Sequence, residues 1–274
     1  MNVYIEASFD TAAPNEPGAS LVRWFSAART GLYRNLVEAE ARSGGGVVSE
    51  AHVVPDIDDV ARRFPRIGQA WPQFEEGLAA FPWGAQLLFL TEGGELAVLG
   101  RASSYHVLSD GSIWRASASA GVNSPDDAAS CTALVDFLHT ALEGSSPVFG
   151  RIEWNNFDEF TNLDAVLRRK RRTSLREGRR SLRGYAWVTV CPAELTARLG
   201  GAAVLEDSGA FHRVLPLGAG GVLLQASATM AGYTDQVMER VFEVLAPVLP
   251  PGEPSPDPAH PCLRFVPRDA ATVR

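Results

Sequence analysis

The chain predicts an α+β fold, an antiparallel sheet or sheets with helices packed on one face, and three observations carry that prediction. Apolar residues alternate over short runs such as Val3, Ile5, Ala7 and Phe9, the period of a half-buried strand. They recur three and four apart in Leu21, Phe25, Ala28, Leu32 and Leu36, the period of an amphipathic helix. Glycine-containing breaks join neighbouring strand-like runs, the pattern of hairpins.

In chain order, a strand over Val3–Phe9 is followed by the turn-rich AAPNEPG and by a long helix from Ala19, stopped at Gly44-Gly45-Gly46. A second strand spans Val47–Val54, and short helices fill the stretch to Phe81, interrupted by Pro65 and Pro72. Gln86–Leu90 and Glu95–Arg101 form a hairpin; Tyr105–Leu108 and Ser112–Ala120 form another strand pair around Ser109-Asp110-Gly111. Ser124-Pro125-Asp126-Asp127 supplies a cap, a first-turn proline and two acids for a helix whose face is Cys131, Leu134, Leu138 and Leu142. Gly144 ends it and Val148–Trp154 is the strand beyond. Leu163, Val166 and Leu167 anchor a short helix before an arginine-rich run.

The remainder reads as a strand over Tyr185–Val190, a short helix from Pro192 closed by Gly200-Gly201, and a hairpin of Phe211–Leu217 with Gly221–Ser227. Thr234 caps a helix with the stripe Val237, Val241, Leu245 and Leu249, which Pro247 cuts short, and Leu263–Val266 adds a final strand. The order β-α-β-β-α-β is ferredoxin-like. Similar ingredients in the first part suggest two related halves, divided as residues 1–154, a basic connecting segment 155–183, and 184–274; one shared domain is the alternative at this length.

Composition narrows the class. Hydrophobic residues at 46% and charged residues at 21% are those of a globular protein. No run approaches the roughly 18 apolar residues of a membrane helix, and MNVYIEASFD lacks a signal-peptide pattern, so a cytoplasmic protein without a membrane partner is expected. Cys131, Cys191 and Cys262 are too few and too scattered for a disulfide framework. The net charge of −7 conceals an asymmetry: Arg168, Arg169, Lys170, Arg171, Arg172, Arg176, Arg179, Arg180 and Arg183 face one acid, Glu177, in their window. An acidic chain thus carries one basic belt.

No motif names a catalytic, cofactor or metal site. Gly218-Ala219-Gly220-Gly221 precedes a strand, whereas a phosphate loop must lead into a helix, so it is read as a hairpin turn. His52, His106, His139, His212 and His260 do not combine with the cysteines at zinc-site spacing; only His260 and Cys262 are near neighbours. Cys191 with His212 is better read as a packing thiol beside a hairpin residue than as a nucleophile and base. The cluster Glu153, Trp154, Asn155, Asn156, Phe157, Asp158 and Glu159 has a composition suited to sugar or peptide contact, and also to a polar strand exit. The candidate partner-binding residues are therefore Arg168, Arg169, Lys170, Arg171, Arg172, Arg176, Arg179 and Arg180, with Glu153, Trp154, Asp158 and Glu159. The belt leaves three readings open: a protein partner with an acidic face, nucleic acid, and internal ion pairing with the acids of 153–164.

Four patterns carry a family resemblance: Leu182-Arg183-Gly184-Tyr185-x-Trp187, Leu199-Gly200-Gly201, the Gly220-Gly221 hairpin, and Leu245-Ala246-Pro247-Val248-Leu249-Pro250. Over about residues 182–254 the chain resembles the type VI immunity family of bacterial proteins. The resemblance implies a non-catalytic protein that binds and neutralises a cognate toxin delivered between neighbouring bacteria, and it transfers no catalytic residue. The rival expectation is a small-molecule binder or enzyme using a cleft between the halves near Trp154, Tyr185, Trp187 and His212.

Overall fold

The computed structural model describes residues 1–10, 17–42, 46–55, 69–91, 96–108, 110–154, 160–256 and 262–273. In chain order these form β1 (Asn2–Asp10), α1 (Pro17–Ala27), α2 (Arg34–Ala41), β2 (Val47–Val54), α3 (Trp71–Ala79), β3 (Gly84–Thr91), β4 (Leu96–His106) and β5 (Ile113–Gly121). Then follow α4 (Ala128–Leu142), β6 (Phe149–Trp154), α5 (Asn162–Val166), α6 (Arg171–Arg176), β7 (Val188–Cys191), α7 (Ala193–Arg198), α8 (Ala202–Asp207), β8 (Arg213–Pro216), β9 (Val222–Gln225) and α9 (Asp235–Leu245).

The nine strands make one antiparallel sheet in the order β2-β3-β4-β5-β1-β6-β7-β9-β8. The α+β class and the antiparallel sheet are those the apolar periods predict. β1 lies between β5 and β6, with Ile5 opposite both Ala118 and Ile152. The register sorts side chains by face. Val3, Ile5, Ala7 and Phe9 are buried with Ala116, Ala118 and Ala120 of β5 and Ala102 of β4. Small residues on the sheet leave room for large ones on the helices: Trp24 of α1 meets Phe137 of α4 edge-on at 5.1 Å, and Phe25 meets Phe74 of α3 at 5.1 Å.

Four local differences from the sequence expectation have physical reasons. The long first helix is broken by a π-turn over Ala28–Leu32. The break lets buried Tyr33 turn inward, where its hydroxyl lies against the carbonyl oxygens of Arg101 and Ser119 on β4 and β5. The strands expected at Glu95–Arg101 and Tyr105–Leu108 are one, since β4 runs unbroken from Leu96 to His106. The helix cap of α4 is Asp127, whose carboxylate accepts from the backbone N–H groups of Ala129 and Ser130, rather than Ser124. Leu263–Val266 adds no strand; the flank of β7 away from β9 is already paired with β6. β6 thereby takes the place a closing strand would have beside β7. Gly200 and Gly201, both at φ +90°, end α7 as the Gly-Gly pair predicts, and the short α8 that follows has no counterpart in the periodicity.

α1 and α3 meet at Gly18, where an added Cβ would sit 2.1 Å from the carbonyl oxygen of Ala79. Gly18→Ala therefore forces the helices apart; a loss of about 1–3 kcal/mol is expected, of the size seen for overpacking, and urea unfolding measures it.

Candidate functional site

The opposite face of the sheet is polar, and its chemistry is organised by β1. Tyr4, Glu6, Ser8 and Asp10 alternate with the apolar set. Glu6 stands opposite Ser117 of β5 and Arg151 of β6, and Ser8 opposite Arg115. Glu6 is wholly buried and lies between two guanidinium groups, Arg151 Nε at 3.0 Å and Arg115 Nη1 at 3.3 Å. Tyr4 donates its hydroxyl hydrogen to the same carboxylate at 3.2 Å. Arg151 continues to Glu153 at 2.8 Å, and Glu153 accepts from the Asn162 side-chain amide at 2.6 Å. Aromatic rings back the cations: Arg115 lies 4.6 Å from the Tyr105 ring centre and Arg151 5.7 Å from that of Tyr4.

The segment with α5 and α6 meets this face and brings a second buried acid. Asp164 bonds Arg183 at 3.0 Å, Arg169 at 3.1 Å and the Ser174 hydroxyl at 2.7 Å, while Ser174 accepts from Arg183 Nε at 3.0 Å. Arg183 is buried over the Phe149 ring at 5.3 Å. Thr161 fixes the approach by capping α5 at Asp164 N and donating to the Arg183 carbonyl. Burial pushes the Glu6 carboxyl up, but Arg151, Arg115 and Arg183 outweigh it and hold the group below its ordinary 4.5.

The basic belt accordingly divides in two. Arg169, Arg179 and Arg183 point inward: Arg179 clamps Asp10 at 2.6 and 2.8 Å and reaches Glu194 at 2.9 Å, and Arg169 also holds Glu177 at 2.9 Å. Arg168, Lys170, Arg172, Arg176 and Arg180 are exposed, with Arg176 against exposed Asp110, and Arg171 is half-buried. Arg168 occupies a left-handed position at φ +52°, which turns the chain between α5 and α6. Glu153 belongs to the buried network; Asp158 and Glu159 lie outside the described residues.

Trp154 stands at the end of β6 beside a small cavity of ≈ 40 Å³, walled by Glu153, Asn162, Tyr185, Trp187, Tyr233 and Arg264 together with exposed Cys262. Three residues expected near a cleft, Trp154, Tyr185 and Trp187, meet here; His212 is exposed at the foot of β8 and does not line it. Cys191 is buried at the end of β7, and burial pushes its thiol up to about 12, which suits packing and not nucleophilic attack. Among the described residues, no group of three or more His, Cys, Asp or Glu side chains could hold a metal ion, and no helix is long and apolar enough to cross a membrane. His260 lies outside the described residues.

Sequence reasoning missed Glu6, Arg115 and Arg151 as interacting groups, whereas the pairing of the belt with an acid of 153–164 is met by Asp164. The available signal was the alternation of Arg and Ser in RASSYH and WRASASAG, which marks a polar sheet face but does not reveal what covers it.

No family model and no curated protein matches the chain. Its fold is similar to that of a solved structure, the Pseudomonas aeruginosa T6SS protein PA0821, with a TM-score of 0.56 and 12% identity over 90% of this chain and 76% of that one. At that identity the likeness is one of fold.

Removing the charge of Glu6 leaves two buried guanidinium groups facing a neutral amide. Glu6→Gln should cost about 3–5 kcal/mol in denaturant unfolding. Because the folded carboxyl titrates below 4.5, its contribution is fully present above pH 4.5 and lost as pH falls through the lower folded value. Unfolding measured from pH 6 downward should show wild type losing stability in that acid range and the variant losing less.

Proposed function

We propose that this chain is a non-catalytic cytoplasmic binding protein, an immunity protein of the type VI kind that neutralises a cognate toxin by direct contact. The observation that carries the reading is the division of the belt. The inward arginines are engaged with Asp10, Asp164, Glu177 and Glu194, while Arg168, Lys170, Arg172 and Arg180 stand exposed on the ridge around α5 and α6. The inner set roots the ridge in the sheet, so the outer set is presented on a supported surface. A local cationic patch on a chain of net charge −7 favours an acidic partner face and steers it by complementarity. The motif resemblance over residues 182–254 and the fold shared with a T6SS protein support the same reading.

The toxin is sought first in the product of the neighbouring gene. Co-expression should give a complex that survives purification and should relieve toxicity. Reversing Arg168, Lys170, Arg172 and Arg180 to Glu should weaken the complex at least a hundredfold and leave the unfolding midpoint within a few degrees, since these residues are exposed. A complex unaffected by the reversal overturns the ridge as the contact. Salt-sensitive binding of DNA or RNA by wild type, abolished by the same reversal, would instead assign the ridge to nucleic acid.

A further inference from the structure

The cavity beside Trp154 keeps uncommitted hydrogen-bond donors. Its acceptors and amides are engaged: Glu153 takes Arg151 and Asn162, Asn162 Nδ2 serves Glu153 and the Arg264 carbonyl, and Trp187 Nε1 donates to the Ser227 carbonyl at 2.9 Å. The remaining groups can each donate. Tyr233 is buried, and its hydroxyl has no hydrogen-bond partner among the described residues. The Tyr185 hydroxyl accepts from Val266 N at 2.8 Å, and its own hydrogen has no acceptor among the described residues. Arg264 uses one edge of its guanidinium on the exposed Asp235 at 2.8 Å, while its centre lies 5.1 Å from the Tyr233 ring and 5.8 Å from the Trp154 ring.

A buried hydroxyl without a partner is costly, so its persistence in an aromatic-walled hollow calls for an acceptor from outside. A cationic ligand would meet Arg264, and a neutral ring exceeds ≈ 40 Å³, a volume that suits a few waters or a small headgroup. We propose that the hollow receives a carboxylate from an acidic side chain of the protein partner, held by Tyr233, Tyr185 and Arg264. Its entry would draw Arg264 from Asp235, whose side chain is 87% exposed and loses little by being released to water. The inference rests on the toxin-binding reading and deepens it. α5 begins at Asn162 in the cavity wall and leads to Arg168 on the ridge, so one acidic face could engage both.

The probe is sodium acetate, compared with sodium chloride and methylguanidinium chloride at equal ionic strength, read by tryptophan emission and unfolding midpoint on the full chain. Acetate should alter the emission saturably and raise the midpoint beyond the chloride control. Tyr233→Phe should keep or raise the midpoint without acetate, since an unpartnered buried hydroxyl is removed, and should bind acetate at least tenfold more weakly. Arg264→Gln should weaken acetate binding similarly. An acetate response no different from chloride, saturation by methylguanidinium instead, or an unchanged acetate response in both variants overturns the proposal. The two readings fail separately: a complex lost on ridge reversal but retained in Tyr233→Phe removes only the carboxylate site, whereas acetate binding with no toxin complex leaves the cavity and removes the partner.

Discussion

The Glu6 carboxylate, wholly buried between Arg115 and Arg151, is the constraint on which the rest of the structure depends. An isolated buried charge would be prohibitively costly, and so would either guanidinium without it. The three come from β1, β5 and β6, the strands at the middle of the sheet, so the charges can be satisfied only when these strands lie in register. A shift by one residue would turn Glu6 to the apolar face of the sheet and Ile5 to the polar one. The network therefore selects a register that apolar burial alone would specify less sharply.

From this centre the charges continue outward in alternating order. Arg151 leads to Glu153 and Asn162, and Asp164 with Arg183 and Ser174 ties down the segment that carries the exposed cations. Two tasks are thus divided among residues that look alike in sequence. The inner arginines are fixed by bidentate or multiple contacts, Arg183 also lying over the Phe149 ring, which suits a planar guanidinium. The outer ones lie exposed at the surface.

Most of the fold was legible because it rests on local periodicity. The alternation in β1, the helical face Leu134 and Leu138 of α4, the Gly-Gly stop after α7 and the Thr234 cap of α9 each have a short-range cause. The π-turn was not legible, since it serves contacts of Tyr33 with carbonyls more than sixty residues away. The site was read only in part. Arg168 to Arg183 were visible as a charge run, but which of them face inward depends on Asp10, Asp164 and Glu194, distant in sequence or hidden in an apolar stretch. Likewise Trp154, Tyr185 and Trp187 were expected together, whereas Tyr233 and Arg264 join them only through the tertiary path of the last segment.

The position of β1 also has a consequence for the order of assembly. Asn2 lies opposite Gly121 and Val3 opposite Trp154, so the strand at the middle of the sheet finds its neighbours only across more than a hundred residues of chain. Such closure is slow, and until β5 and β6 emerge from the ribosome β1 offers two unpaired edges and an unmatched acid. The β2-β3-β4-β5 meander is built from sequential neighbours and can form first, presenting the edge onto which β1 docks. β6 would then seal the second edge, making the joining of the two sides of the sheet a late, cooperative step in the life of the nascent chain.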